Sequence, residues 1–395
     1  MTKRMSVAVG AWVASVVCVS AAVGQGGPPR GVYCSCPPTS ERSHSVLPEV
    51  AALPFVDGIL VRVQWDLLEP EPGVYDWSLL DAELDLAESL GTKVALGVIC
   101  GGTGEPAWLY EPHEGGPGAA GFDYDFGDRQ ETMPVPWDEV FLTDWGSFVA
   151  ALGSRYAGRD VVTLVHMTHS TRNGFEMQIP FSRDDEQQWA AIGYTAERHA
   201  GSWLEVMDAF GAAFPSHALD VDLHPVLGSS EVASAVAGYG ADEFGDRFGV
   251  FAAWWTQRNA LEVYPEMYDL LLDSADRSFG TVQLARSATV HGEDSFGDGG
   301  FAGAFGLALS GGVRYFEVWN SDLLNQDLQG TVLDAWEAAH ACAADFDGDG
   351  SATTRDVLAF LNAWTAGDPL ADVNGDGVVD TQDVLVFLNL WRNGC

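Results

Sequence analysis

Positive charge is what this chain has least of: 19 lysine and arginine residues stand against 57 aspartates and glutamates, a formal net charge of −38. Nucleic acid and anionic membrane surfaces would repel such a chain, so neither is expected as a partner. Long apolar runs are missing after the first two dozen residues, so no later segment is expected to span a membrane. Cysteine is sparse as well, six in 395 residues. A hydrophobic content of 47%, with 11% aromatics, is ample for a buried core, and the 45 glycines then mark turns and tight loops rather than disorder.

The one long apolar run, Ser6 to about Val23, follows Lys3 and Arg4 and ends at the small-residue site Ala22-Val23-Gly24. That three-part pattern reads as a secretory signal peptide over residues 1–24, with a membrane anchor as the alternative. Val17, standing before Cys18 where a lipoprotein signal needs a small residue, argues against lipid anchoring. The mature chain is expected to be secreted, extracellular or attached to a cell surface. Of its five cysteines, Cys342 and Cys395 bracket the C-terminal segment and are expected to bridge; Cys34 or Cys36 would reach Cys100 if their strands are neighbours.

The length suits one large domain plus an appendage. Eight short apolar segments alternate with amphipathic ones between residues 25 and 341: Gly31–Cys36, Gly58–Trp65, Lys93–Cys100, Val161–Thr168, Ala218–Val226, Gly249–Trp255, Thr281–Arg286 and Val313–Trp319. Helices are expected over Trp77–Gly91, Trp137–Tyr156, Asp184–Phe214, Pro265–Asp276 and Leu328–His340. The fold class is therefore α/β, a (β/α)8 TIM barrel over residues 25–341. A doubly wound open sheet is the alternative, but no Gly-rich phosphate loop follows the first strand. The long segment from Gly101 to Pro136 reads as a cleft-shaping loop.

Residues 342–395 carry an internal repeat at a 27-residue offset. Each copy opens on a calcium-loop template, which takes oxygen ligands at positions 1, 3, 5, 7, 9 and 12 and a glycine at 6. The first set is Asp345, Asp347, Asp349, Ser351, Thr353 and Asp356, with Gly350 at the turn; the second is Asp372, Asn374, Asp376, Val378, Asp380 and Asp383, with Gly377. Ser351 and Val378 would contribute backbone carbonyls. Two Ca2+ ions are expected, and no cofactor in the barrel. The repeat runs on, Asp356-Val-Leu-Ala-Phe-Leu-Asn-Ala-Trp364 being echoed by Asp383-Val-Leu-Val-Phe-Leu-Asn-Leu-Trp391. This segment resembles dockerins, small all-α domains of paired EF-hand-type loops with one helix after each loop. The resemblance implies calcium-dependent folding and docking onto a cohesin-like surface protein, through Thr354-Arg355 and Thr381-Gln382.

In the barrel, Val61-Arg-Val-Gln-Trp-Asp-Leu-Leu-Glu-Pro-Glu-Pro-Gly-Val-Tyr-Asp-Trp77, Gly91-Thr-Lys-Val-Ala-Leu-Gly97 and Pro106-Ala-Trp-Leu109 resemble clan A glycoside hydrolases, most closely the N-terminal barrel of family 42 β-galactosidases. The resemblance implies a retaining mechanism with an acid/base carboxyl after the fourth strand and a nucleophile after the seventh. Glu176, after the fourth, is the acid/base candidate. The family has Asn directly before that Glu, whereas Asn173 stands three residues earlier here. The seventh strand carries Gln283 and no carboxylate, so the second group is sought in Glu317 on strand eight, preferred for its rigid position, or in Glu293 in the loop that follows strand seven. Trp65, Trp108, Trp255 and Trp319 near strand ends are candidate sugar platforms. Arg62, Asn173, His224 and Gln257 are candidate hydroxyl ligands. The expected function is a secreted glycoside hydrolase acting on β-linked, galactose-containing polysaccharide or oligosaccharide. A carbohydrate-binding pseudoenzyme and a structural component of a surface assembly are the alternatives.

Overall fold

The computed structural model describes residues 27–113, 115–342, 344–348, 352–374 and 377–393. The signal-peptide segment, Asp349, Gly350, Ser351, Asp376 and Cys395 lie outside the described residues.

The eight expected strands are present: β1 (Gly31–Ser35), β2 (Gly58–Gln64), β3 (Lys93–Ile99), and, after a hairpin formed by β4 (Gly121–Phe126) and β5 (Arg129–Pro134), β6 (Val162–His166), β7 (Ala218–Asp222), β8 (Phe248–Trp255), β9 (Phe279–Leu284) and β10 (Tyr315–Trp319). All but the hairpin pair in parallel and close into a barrel in the order β1-β10-β9-β8-β7-β6-β3-β2. Closure removes the open-sheet alternative, and no helix among the described residues is long and apolar enough to cross a membrane.

The helices follow the apolar spacing. Over Ser78–Leu90, the residues Leu80, Leu84 and Ala87 are buried, and Gly91 ends the helix with φ at 69°, a backbone angle that costs glycine little. Asp138 caps Glu139–Tyr156 by accepting from the backbone N–H groups of Val140 and Phe141. The single helix expected over Asp184–Phe214 is two, Arg183–Ala191 and Ala196–Ala213. The break falls at Gly193, φ 81°, and Thr195 caps the second piece by accepting from Arg198 N–H.

Two apolar layers result. The larger lies between strands and helices; the smaller fills the barrel with Tyr33, Leu60, Ala95, Leu164, Phe175, Phe251, Ala253, Phe279 and Tyr315. Trp65 and Trp255 belong to the outer layer and are wholly buried. Strand side chains alternate sides, so Gln64 turns one way and Trp65 the other. At Trp255 the β8–β9 register shifts between Ala252 and Trp255.

In the C-terminal segment the helices Thr354–Ala366 and Thr381–Asn393 pack through Phe360 and Phe387, stacked with centroids 4.1 Å apart. The repeat is reciprocal: Trp364 donates its indole N–H to the Asp380 carbonyl at 2.6 Å, and Trp391 donates to the Thr353 carbonyl at 2.8 Å. Cys342 is disulfide-bonded. Cys34, Cys36 and Cys100 are free and buried; β2 stands between β1 and β3, so the strands are not the neighbours a bridge to Cys100 would need. Cys34 instead contacts Cys36, sulfur to sulfur, at 2.9 Å.

Candidate active site

The loop after β6, the fourth barrel strand, carries Glu176. Asn173 shapes it by accepting from the backbone N–H groups of Phe175 at 3.1 Å and Glu176 at 2.9 Å. Phe175 turns into the barrel over Gly97, where a Cβ would lie 2.5 Å from its ring. Its ring lies 5.4 Å from that of His166, and the Arg62 guanidinium sits over its face at 5.5 Å. The next residue is thereby set at the barrel mouth, with the Glu176 side chain 34% exposed.

Around Glu176 stand His224 and Asp222, from the end of β7, the fifth barrel strand. His224 Nε2 lies 3.9 Å from Glu176 Oε2, and its Nδ1 donates to Asp222 at 2.7 Å. Asp222 also accepts from Met177 N–H at 3.2 Å and Ala253 N–H at 2.8 Å. Burial, reinforced by the charge of Asp222, raises the Glu176 pKa; His224, Asn173 and Arg62 pull it back. A carboxyl group that stays protonated longer than usual, at a strand-end mouth, is equipped for proton donation. Burial lowers the His224 pKa, but Asp222 outweighs it and the net shift is upward.

A separate ionic network begins at His166, whose ring neighbours that of Phe175. Glu317, fully buried, accepts from Gln283 at 2.7 Å and from the Tyr315 hydroxyl at 3.0 Å, and its Oε1 lies 3.1 Å from His166 Nε2. The other His166 nitrogen donates to Asp220 at 2.6 Å, and Asp220 accepts from Thr281 at 2.6 Å. Burial disfavours charge on His166, yet Asp220 and Glu317 push its pKa up to about 10. The rigidity that favoured Glu317 as a catalytic group comes from burial within this network, which leaves its oxygens engaged and out of solvent. Glu293, in contrast, is exposed on the short turn Glu293–Phe296 in the loop after β9.

Arg62 is placed between these layers, donating to the Cys36 carbonyl at 2.7 Å while its charge is felt by both Glu317 and Glu176. Trp108 and Trp319 are half-buried, each held by its indole N–H, to the Glu69 carbonyl at 2.8 Å and the Leu284 carbonyl at 2.7 Å. Trp65 donates to Glu69 and Trp255 to the Ala304 carbonyl, and both are wholly buried, so neither can serve as a platform. Gln257 spends its carbonyl on Gly299 N–H at 2.8 Å, holding the start of the Gly300–Ser310 helix. Sequence reasoning overlooked Asp222, Phe175 and Tyr264, whose ring lies 5.3 Å from that of His224. The triplet Asp222-Leu-His224 at a strand end was the available signal for the first.

The C-terminal segment holds a second candidate site. Carboxylate oxygens of Asp345, Asp347 and Asp356 all lie within 4.8 Å of one another. Backbone N–H groups of Asp347 and Thr353 donate to Asp356 and hold its carboxyl down at about 2. In the second loop Gly377, φ 83°, donates its N–H to Asp372 at 2.9 Å, while the other Asp372 oxygen is buried without a hydrogen-bond partner among the described residues. Asp383 accepts from Asn374 N–H at 3.3 Å and Asp380 N–H at 2.8 Å. Converging hard oxygen donors with one unsatisfied carboxylate oxygen fit a calcium ion.

With this geometry in view, residues 58–219 match the family 42 glycoside hydrolase model, described as β-galactosidase. The match runs from β2 into β7, includes Glu176, and is of glycosidase type. The catalytic domain of a β-amylase from Paenibacillus polymyxa is similar in fold, with a TM-score of 0.54 at 11% identity over 80% of this chain and 98% of its own. Xylanase 10B from Thermotoga maritima gives a TM-score of 0.44 at 11% identity over 73% of this chain and 82% of its own. A β-galactosidase from the psychrophilic Marinomonas ef1 gives 0.38 at 13% identity over 58% and 41%. No curated protein matches the chain significantly.

Proposed function

We propose that the barrel hydrolyses β-linked, galactose-containing oligosaccharide or polysaccharide, and that the chain is exported and tethered through its dockerin-like C-terminal segment to a cohesin-like surface protein. The observation that carries the reading is Glu176 itself: a carboxyl group raised in pKa, one-third exposed, at the end of the fourth barrel strand within the matched stretch. In this reading Glu176 protonates the glycosidic oxygen as the bond breaks. Arg62, Asn173 and His224 hold sugar hydroxyls, and Trp108 and Trp319 carry the C–H faces of the rings.

Glycosidic hydrolysis takes two carboxyl groups. We assign the second to Glu293 rather than Glu317, because an exposed group in the loop after the seventh barrel strand is open to a sugar, whereas Glu317 is buried and engaged by Gln283, Tyr315 and His166. Reducing-sugar release from plant and algal polysaccharides, compared between wild type and Glu176→Gln, tests the proposal; equal release would remove Glu176 from the mechanism.

Calcium would be held by Asp345, Asp347, Thr353 and Asp356 in one loop and by Asp372, Asn374, Val378, Asp380 and Asp383 in the other, where it supplies the charge that lets clustered carboxylates fold together. A second reading is a sugar-binding barrel without turnover. It is favoured by Gln283 on the seventh strand, whose amide donates to Glu317 at 2.7 Å and Ser35 at 3.1 Å where a nucleophile would be expected. Sugar binding with no hydrolysis by wild type would establish it.

A further inference from the structure

The mouth has a neighbour that the proposed chemistry leaves unused. A cavity of about 340 Å3 lies between Gln64 at the end of β2, the Gly102–Glu105 stretch after β3, and Arg129 and Glu131 on β5. Its walls are continuous with the loop of Glu176. Thr103 donates its hydroxyl to the Asn173 carbonyl at 3.2 Å, Gly101 bridges Thr171, and the Tyr124 hydroxyl of the hairpin donates to the Arg172 carbonyl. Tyr124 passes so close to Gly102 that a Cβ there would meet its hydroxyl oxygen at 1.7 Å, so glycine is needed for the hairpin to seat.

The lining is made of hydrogen-bonding groups with little net charge. Arg129 pairs with Glu131 at 3.3 Å. Burial, helped by the charge of Asp66 just past the end of β2, pushes the Glu105 carboxyl up to about 7, against hydrogen bonds from its own backbone and from the Tyr110 hydroxyl, which donates to it at 3.0 Å. Near neutral pH this carboxyl is protonated for much of the time and is itself a donor. In a chain of net charge −38, such a cavity selects neither a cation, which Arg129 opposes, nor an anion, which Glu131 opposes. Its complement is a neutral polyhydroxylated ring.

We propose that this cavity is an accessory sugar subsite, seating a residue of the substrate chain beyond the two joined at the cleaved bond. The assignment rests on the glycosidase reading and sharpens it: the preferred substrate is an oligomer long enough to reach from Glu176 to Glu105. Arg129 and Glu131 present the hairpin's side of the subsite, and Gln64 and Glu105 the barrel's side.

The test is kinetic. β-1,4-Linked tetraoses of galactose, glucose and xylose are compared with the p-nitrophenyl β-glycosides of the same sugars, using the full chain. The ratio of kcat/KM for the tetraose to that for the aryl glycoside should fall about tenfold in Arg129→Ala and in Glu105→Leu, as the loss of one or two hydrogen bonds implies. Glu105→Gln, which keeps a donor, should restore most of the ratio. In wild type the ratio should decline as pH rises through about 7, where Glu105 ionises. A ratio unmoved in both Arg129→Ala and Glu105→Leu, with wild type active on the tetraose, overturns the subsite alone. Wild type inactive on every glycoside overturns the glycosidase reading and the subsite with it. Should Glu105→Leu not fold, Arg129→Ala, on the exposed edge of the hairpin, decides by itself.

Discussion

Glu176 and His224 face each other at 3.9 Å, and Asp222 fixes the far nitrogen of that imidazole at 2.7 Å. The arrangement makes one residue's charge the regulator of the other's proton. For proton donation the neutral form of Glu176 is the working form, so activity falls as pH rises through its pKa. His224 lowers that pKa; His224→Ala should therefore move the basic limb of the kcat/KM profile to higher pH. A limb that stays in place would show that the two groups are not coupled.

The two remaining carboxylates should part company on mutation. Glu293→Gln, at an exposed site, is expected to change stability by less than about 0.5 kcal/mol and to cut kcat at least about 100-fold. Glu317→Gln removes one counter-charge of a buried imidazolium and should cost about 3 kcal/mol of stability. Denaturant titration alongside single-turnover rates separates the two, and full stability in a dead Glu317→Gln would return Glu317 to the catalytic role.

His166 gives the fold its own pH signature. Its folded pKa, about 10, lies above the ordinary value near 6.5, so its contribution is complete below pH 6.5 and is lost as pH rises through 10. Thermal midpoints measured from pH 6 to 10.5 should fall for wild type and fall less for His166→Gln.

Metal removal should act on one part of the chain. Chelation of the full-length protein is expected to unfold the segment around Phe360 and Phe387 while leaving the barrel transition in place. Calorimetric titration back with Ca2+ should count two sites, reduced to one by Asp345→Ala or by Asp372→Ala. A single transition indifferent to chelator would remove calcium from the account of this segment.

Much of the barrel was legible because parallel strands buried on both faces read as short apolar runs, and all eight were found in place. What escaped was decided by side rather than by element. Trp65 and Trp255 sit at strand ends as expected, but the period of two, and a register shift at Trp255, turn them toward the helices. Glu317 lies on the expected strand, while its burial depends on partners brought in from other strands, His166 on β6 and Gln283 on β9. The hairpin falls within the segment expected as a cleft-shaping loop, although Phe122 and Tyr124, both buried, alternate with the exposed Asp123 and Asp125. In the C-terminal segment the repeat alone was enough to place both helices, since each half repeats the other's contacts.

That hairpin hydrogen-bonds as a sheet only with itself, touching the Glu176 loop through Tyr124 and walling the neighbouring cavity with Arg129 and Glu131. Among the described residues no barrel strand relies on it for pairing, so its tip at Gly127 can vary without breaking the barrel's own ladder, while Phe122, Tyr124 and Met133 keep its base in the core. On the subsite reading, substrate range is set at the tip of a part outside the barrel's ladder, and it can drift or be engineered while Glu176 stays where it is.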